Sequence, residues 1–290
     1  MIYTELNDDR SEKINYDFKN YRIYIRKGLL SSYNDFAAAP HWHDDIEFIS
    51  ILSGEMQYSV NGEVVTLTEG QGIFVNSRAL HFGFSDLHKE CEFICLLLHP
   101  DILCAAAETE REFVLPVITN PDLSFIKLQN NIGWQRTILD CVDKIYLSKA
   151  KTTVPLLVSG LFFQVWSCIF ENTPLCLSEK PNVDLAIIKN IVGFIQKNYD
   201  KKISLADIAR AGYVGQSKCC KLFREYIGQT PIEYLTRYRL NKSLPLLQNT
   251  DFTITAIALA VGFNGNSYFA EAFKKHYGKT PSEYRLSKKT

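Results

Sequence analysis

Polar and apolar residues alternate along YRIYIRK, residues 21–27, and a period of two predicts a half-buried β-strand. Short apolar runs follow: IEFISIL, EMQYSV, EVVTL, GIFV and CEFICLLL, the last ending at Leu98. The turn signals Ser53-Gly54, Asn61-Gly62 and Glu69-Gly70 separate them. Asn-Gly between two alternating runs predicts a hairpin, because both residues tolerate the positive φ of a type I′ turn. Many short strands at regular spacing predict a sandwich or barrel. From Asp122 onwards the period becomes helical. Ile138, Leu139, Val142, Ile145 and Tyr146 form one stripe, and 153–170 is apolar on most sides. These two helices must bury a wide surface, against the strands or against a partner chain. NTPLCLSEKPN, residues 172–182, has the prolines and polar residues of a linker. A further helix is expected over 184–198, with Ile187, Ile188, Ile191, Ile195 and Tyr199 on its buried face.

The remainder contains a repeat. Ile254, Ile257, Ala258 and Val261 line one face of a short helix that Gly262 ends. A turn through Asn264, Gly265 and Asn266 leads to a second helix whose buried side is Phe269, Ala272 and Phe273. Helix, turn and helix with a polar outer face is the plan for reading DNA. Residues 203–234 repeat it. At an offset of 50, Ser217, Phe223, Gly228, Thr230-Pro231 and Glu233-Tyr234 match Ser267, Phe273, Gly278, Thr280-Pro281 and Glu283-Tyr284. Upstream the offset is 49, pairing Leu205, Ile208 and Ala209 with Ile254, Ile257 and Ala258. The one-residue difference falls in the turn, where insertions are tolerated.

Charge sharpens this division. The formal net charge is +0, yet residues 184–290 hold 17 Lys and Arg against 8 Asp and Glu, and residues 1–183 hold 15 against 24. A basic C-terminal third points towards nucleic acid. A length of 290 residues suits two domains. The polar, acidic start MIYTELNDDR is not a secretory signal, and no run reads as long and apolar enough to span a bilayer, so a cytoplasmic protein without membrane contact is expected. The eight cysteines show no CxxC spacing and are expected as buried reduced thiols.

On the pattern IxxIAxxxGF…SYFxxxFKKxxGxTPxxYR, the C-terminal region resembles the DNA-binding domain of the AraC/XylS family of bacterial transcription regulators. The first unit and Arg239-Leu240 agree with it. The resemblance implies one recognition helix per unit in the major groove of double-stranded DNA. By position the first is 216–224, with Gln216, Ser217, Lys218, Cys220 and Lys221 outward and Arg224 towards phosphates. Lys221 is the candidate for a guanine edge, since a cation can donate to O6 and N7. The second is 266–273, with Asn266, Ser267, Ala270 and Glu271 outward and Lys274 and Lys275 beside them for phosphates. Asn266 suits adenine. Glu271 departs from the basic residue usual in the family. Pro245 is a second departure, and a kink or break is expected in the joining helix.

The N-terminal strands carry a second pattern. His41-Trp42-His43, Glu47 and Gly54 have the spacing HxHxxxExxxxxxG, and His81 follows the strand 70–75. This resembles the first cupin motif and a weakened second one. In metal cupins three histidines and the glutamate bind one divalent ion, which sets His41, His43, Glu47 and His81 as the alternative metal ligands. The expectation taken here is a small-molecule pocket with no metal and no cofactor. It is lined by His41, Trp42, His43, Glu47, Tyr58, Phe74 and His81, with Phe82 a further aromatic candidate.

The fold class expected is therefore α+β: a cupin-like β-barrel with trailing helices over 1–175, a linker over 176–183, and an all-α domain over 184–290. The function implied is a sequence-specific regulator, an activator rather than a repressor, under a small-molecule effector of the sugar class. The helices near 132–170 would form a homodimer, and RNA polymerase is a further partner. Two other readings stay open. One is a metal-dependent cupin enzyme fused to a DNA-binding module. The other is a constitutive DNA-binding protein with a purely dimerising barrel.

Overall fold

The computed structural model describes residues 7, 11–18, 20–174 and 182–286. The chain divides into two compact units, Met1–Asn182 and Val183–Thr290. Most of the expected linker, 176–181, lies outside the described residues.

Unit 1 is built on antiparallel strands β1 (Ile23–Leu29), β2 (Ile46–Val60), β3 (Glu63–Thr68), β4 (Gly72–Val75), β5 (His81–Phe84), β6 (Cys91–Leu98) and β7 (Phe125–Leu128). They run in the order β1-β6-β2-β4-β7, while β3 and β5 both pair with β2. Strand β2 thus serves two sheets. Its first part pairs with β6 and β4, and Glu55–Val60 pairs with β3. Ser53-Gly54 is a correction to the sequence expectation. It is not a turn between two strands; the register against β6 shifts between Ile51 and Ser53 and the strand runs on. A bulge bends a strand without ending it. Asn61 (φ 50) and Gly62 (φ 91) do make the expected hairpin turn.

Alternation along the strands sorts the interior. Ile46, Phe48 and Phe74 join a core with the helices, while Ile49, Ile51, Met56, Tyr58 and Ile73 form a second core between the sheets. Short helices α1 (Ala107–Thr109) and α2 (Leu115–Ile118) precede β7. Strand β7 corrects the expectation of helix from Asp122 onwards. Its four residues pair with β4, too short a segment for periodicity to show. Helices α3 (Gly133–Leu147) and α4 (Val154–Asn172) then cover the outer face. By length and composition α4 is apolar enough to cross a membrane, which corrects the expectation that no such run exists. Its Val158, Phe162, Val165 and Trp166 are buried in the unit's core.

Unit 2 is helical throughout its described part: α5 (Val183–Asn198), α6 (Leu205–Ala211), α7 (Gln216–Ile227), α8 (Pro231–Asn249), α9 (Ile254–Ala260), α10 (Asn266–Tyr277) and α11 (Pro281–Leu286). Helices α6 and α7 are one helix-turn-helix, α9 and α10 the other, and α8 joins them. The repeated Thr-Pro-x-Glu is a capping box. Glu233 accepts from the Thr230 N–H at 2.8 Å, and Glu283 from the Thr280 N–H at 2.8 Å. Helix α8 runs on through Pro245, so of the expected kink or break the break does not occur. Leu240, Leu244 and Leu247 lie on both sides of the proline and are buried with Ile257, Phe269 and Phe273, so packing holds the helix through the lost hydrogen bond.

The two turns solve one problem differently. Phe263 N–H donates to Ala258 O at 2.9 Å, and Val214 N–H to Ala209 O at 3.2 Å. The residue before each donor is left-handed: Gly262 (φ 88) in one unit and Tyr213 (φ 56) in the other. A Cβ on Gly262 would meet the Tyr199 carbonyl oxygen at 2.3 Å, whereas Tyr213 is 91% exposed. Gly262→Ala is therefore expected to destabilise unit 2 by more than about 1 kcal/mol, and Tyr213→Gly to leave it unchanged or slightly stabilised. Calorimetry of the two variants checks this; equal losses would contradict it.

The capping carboxylates add an acid dependence. Hydrogen bonds from Thr280 hold Glu283 below the usual carboxylate range. A carboxylate depressed in the folded state stabilises above its ordinary pKa and loses that contribution as pH falls through the folded value. Glu283→Gln should lower Tm at pH 7, and the gap to the natural protein should narrow and close as pH falls below the ordinary glutamate range, read by melting curves across the acid range.

Candidate functional site

The DNA-reading candidates lie on α7 and α10. Hydrophobic period decides their exposure: Cys219, Leu222 and Phe223 are buried on α7, and Phe269 and Phe273 on α10. That leaves Gln216, Ser217, Lys218, Lys221 and Arg224 exposed, with Cys220 half-buried. On α10, Asn266, Ser267, Glu271, Lys274 and Lys275 are exposed and Ala270 half-buried. Gln216, Ser217, Cys220, Lys221 and Arg224 line one surface groove together with Leu205 of α6. Two features escaped sequence reasoning. Lys218 Nζ is 2.9 Å from Asp184 Oδ1 on α5, so that cation already has a partner. Tyr268 stands on the second helix 57% exposed, with its ring 5.7 Å from Phe263. Its signal was present, an aromatic at a position that the buried period of Phe269 and Phe273 leaves outside.

Unit 1 gathers the other candidates. The backbone at His41 bridges His81, whose neighbours pair with the far end of β2. Glu47 turns inward from the near end of β2, opposite in direction to Phe48. One ligand atom from each of His41, His43, Glu47 and His81 lies within 4.8 Å of all the others. His43 Nε2 and His81 Nε2 stand 3.8 and 3.6 Å from Glu47 Oε2. The Tyr58 hydroxyl donates to Glu47 Oε1, and the Cys95 thiol lies 3.8 Å from Oε2. Burial pushes the Glu47 carboxyl up, but the His81 and His43 imidazoles outweigh it and hold the group well below the usual carboxylate range. Burial, then the Glu47 charge, pushes the Tyr58 phenol well above its ordinary value.

Phe74 does not join this cluster. Phe74 pairs with Phe48, ring centroids 5.7 Å apart, on the face covered by Phe162 of α4. All four residues of β4 are buried, so its sequence shows no alternation from which to read a direction. Trp42, between His41 and His43, is buried, and its carbonyl accepts from the Glu12 N–H at 2.7 Å. Phe82 alternates with His81 and meets Phe84 at 5.4 Å. Glu12, not foreseen from sequence, brings its Oε2 to 3.2 Å from His41 Nε2. The donor set, three imidazole nitrogens and a carboxylate, fits a divalent transition metal.

Family models match both units. Residues 28–165 match an AraC-like ligand binding domain and residues 208–287 a helix-turn-helix domain. An uncharacterized HTH-type transcriptional regulator of Bacillus subtilis, YdeC, is 33% identical over 232 residues, 79% of either chain. The chain belongs to the AraC family of transcriptional regulators. Its other relatives include the lactose operon transcription activator of Staphylococcus xylosus, 29% identical over 52% of this chain and 54% of that one. The melibiose operon regulatory protein of Escherichia coli K12 is 23% identical over 84% of this chain and 82% of that one. This AraC-family regulator is a mixed α+β protein whose helix-turn-helix domain binds DNA.

For this regulator the Lys218–Asp184 pair has a consequence. Releasing Lys218 and removing a negative charge beside the reading face should both favour DNA. Asp184→Asn is expected to tighten binding to a random-sequence duplex by up to about fivefold, the scale of one exposed ion pair. Fluorescence anisotropy at fixed salt reads this, and weaker binding would refute it.

Proposed function

We propose that this AraC-family regulator is an effector-controlled transcription activator and not a catalyst. Unit 1 binds a small molecule of the sugar class, and unit 2 reads DNA through α7 and α10. The observation that carries the DNA reading is the pair of helices whose exposed faces hold Lys221 and Arg224 in one unit and Asn266, Lys274 and Lys275 in the other. Support for the sugar class and for activation comes from the named functions of the lactose and melibiose regulators. The effector would act by favouring one arrangement of the chain over another. A homodimer through α4 is part of this reading, supported by the exposure of Leu156 (77%) and Phe163 (39%) on a helix whose other face is buried. RNA polymerase contact and a cytoplasmic location follow from the same reading.

Selection of bound duplexes from a random pool, followed by titration, tests the reading. Lys221→Ala should cost about 1–3 kcal/mol and relax one base position, as removal of a guanine contact does. Lys274→Ala should weaken all duplexes alike and reduce the salt slope by about 1, as removal of a phosphate contact does. If neither variant changes affinity or salt dependence, the assigned faces are wrong. A sugar panel separates the regulated from the constitutive reading, since a ligand at 100 times its Kd stabilises by about 2.7 kcal/mol.

A further inference from the structure

The two recognition helices repeat each other position by position. Helices α7 and α10 are both 12 residues long and begin at the same offset of 50. Each ends on a left-handed glycine, Gly228 (φ 77) and Gly278 (φ 72). Their interior residues pair at that offset too: Cys219 with Phe269 and Phe223 with Phe273, all fully buried. Helices of equal length that bury the same positions turn the same positions outward. In three of the outward pairs the chemistry is kept. Gln216 and Asn266 are both amides, Ser217 and Ser267 both hydroxyls, and Cys220 and Ala270 both small and half-buried. In the fourth it is inverted: Lys221 is matched by Glu271, and both are exposed. Among the described residues Glu271 has no ion pair or hydrogen bond, although Lys274 and Lys275 follow one turn later. A carboxylate left unpaired on a face that meets a polyanion is repelled unless a base donates to it.

We propose that Glu271 is a specificity-determining residue: it selects cytosine in the half-site under α10, at the position where Lys221 selects guanine in the half-site under α7. The inference rests on the DNA-reading faces proposed above. The base edges in the major groove decide the choice. A carboxylate only accepts. Guanine presents acceptors at O6 and N7 and thymine an acceptor at O4, so both repel it. Adenine sets its N6 amino group beside the N7 acceptor, whereas cytosine presents its N4 amino group without one. Cytosine is therefore the base from which Glu271 accepts at least cost. An ammonium only donates, and the two acceptors of guanine suit Lys221. The other outward pairs keep their chemistry, and Gln216 and Asn266 both suit adenine. The two half-sites should thus resemble each other where amides and serines read, and differ where the charge is inverted. That one difference tells apart two half-sites which like frames would otherwise read alike, and it fixes which of them each helix takes.

The test is selection of bound duplexes from a random pool by the full chain, with competition titrations on the selected sequence. The natural protein should select a cytosine whose change to guanine or thymine weakens binding at least about fivefold. Glu271→Gln keeps the shape of the side chain and adds a donor. It should move the selected base from cytosine to adenine and tighten binding to a random-sequence duplex by about twofold or more, a gain that a misfolded variant cannot give. The exchange Lys221→Glu/Glu271→Lys conserves net charge. It should swap guanine and cytosine between the half-sites while leaving Tm and the affinity for a random-sequence duplex unchanged. Retention of the cytosine by Glu271→Gln, or no preference at that position in the natural protein, would overturn the inference. The DNA-reading faces would then still stand, since a half-site lost in Lys221→Ala is recovered independently. Failure of the natural protein to select any motif would overturn those faces, and this inference with them.

Discussion

A β-strand must send alternate side chains to opposite faces, and in unit 1 that constraint falls on a single strand, β2. Phe48 goes outward to meet Phe74 and Phe162, while Glu47 goes inward to His43 and His81. Because β2 continues past its bulge into the second sheet, it also delivers Tyr58 to the same carboxylate. A shift of one residue in register would exchange the two faces. It would place Glu47 against α4 and Phe48 among the histidines. The long pairing with β6 and β4 therefore guards the chemistry of the cluster as well as the fold.

Glu47 is 4% exposed, and a buried carboxylate is tolerated where charge and hydrogen bonds compensate it. Tyr58 donates to one oxygen and the Cys95 thiol to the other, with the His43 and His81 rings beside it. Replacing such a group by an apolar one often stabilises a fold.

The sequence reported some of this arrangement and was silent on the rest for identifiable reasons. The spacing HxHxxxE brought His41, His43 and Glu47 forward because alternate residues share a face, and Asn61-Gly62 announced its turn through φ alone. Phe74 was unreadable because both faces of β4 are buried, which removes the period-two signal. Ser53-Gly54 looked like a turn because a bulge and a turn share their residue types. Glu12 and Asp184 reached their partners through tertiary contacts that no local pattern encodes. Pro245 followed a sound local rule that packing of Leu244 and Leu247 overrode.

The two recognition helices resemble each other in frame and differ in what they present. Both start after a glycine, end on a left-handed glycine and are followed by the same capping box, so backbone geometry is repeated closely. On α7 the outward cations are Lys218, Lys221 and Arg224, and Asp184 claims the first. On α10 the cations sit in the last turn, while Asn266 and Glu271 occupy the turns before it. A carboxylate at Glu271 opposes the phosphate field and accepts only from a base such as cytosine. The two frames of similar shape therefore differ in charge: α7 spreads its cations along the helix, and α10 gathers them in its last turn behind Asn266 and Glu271.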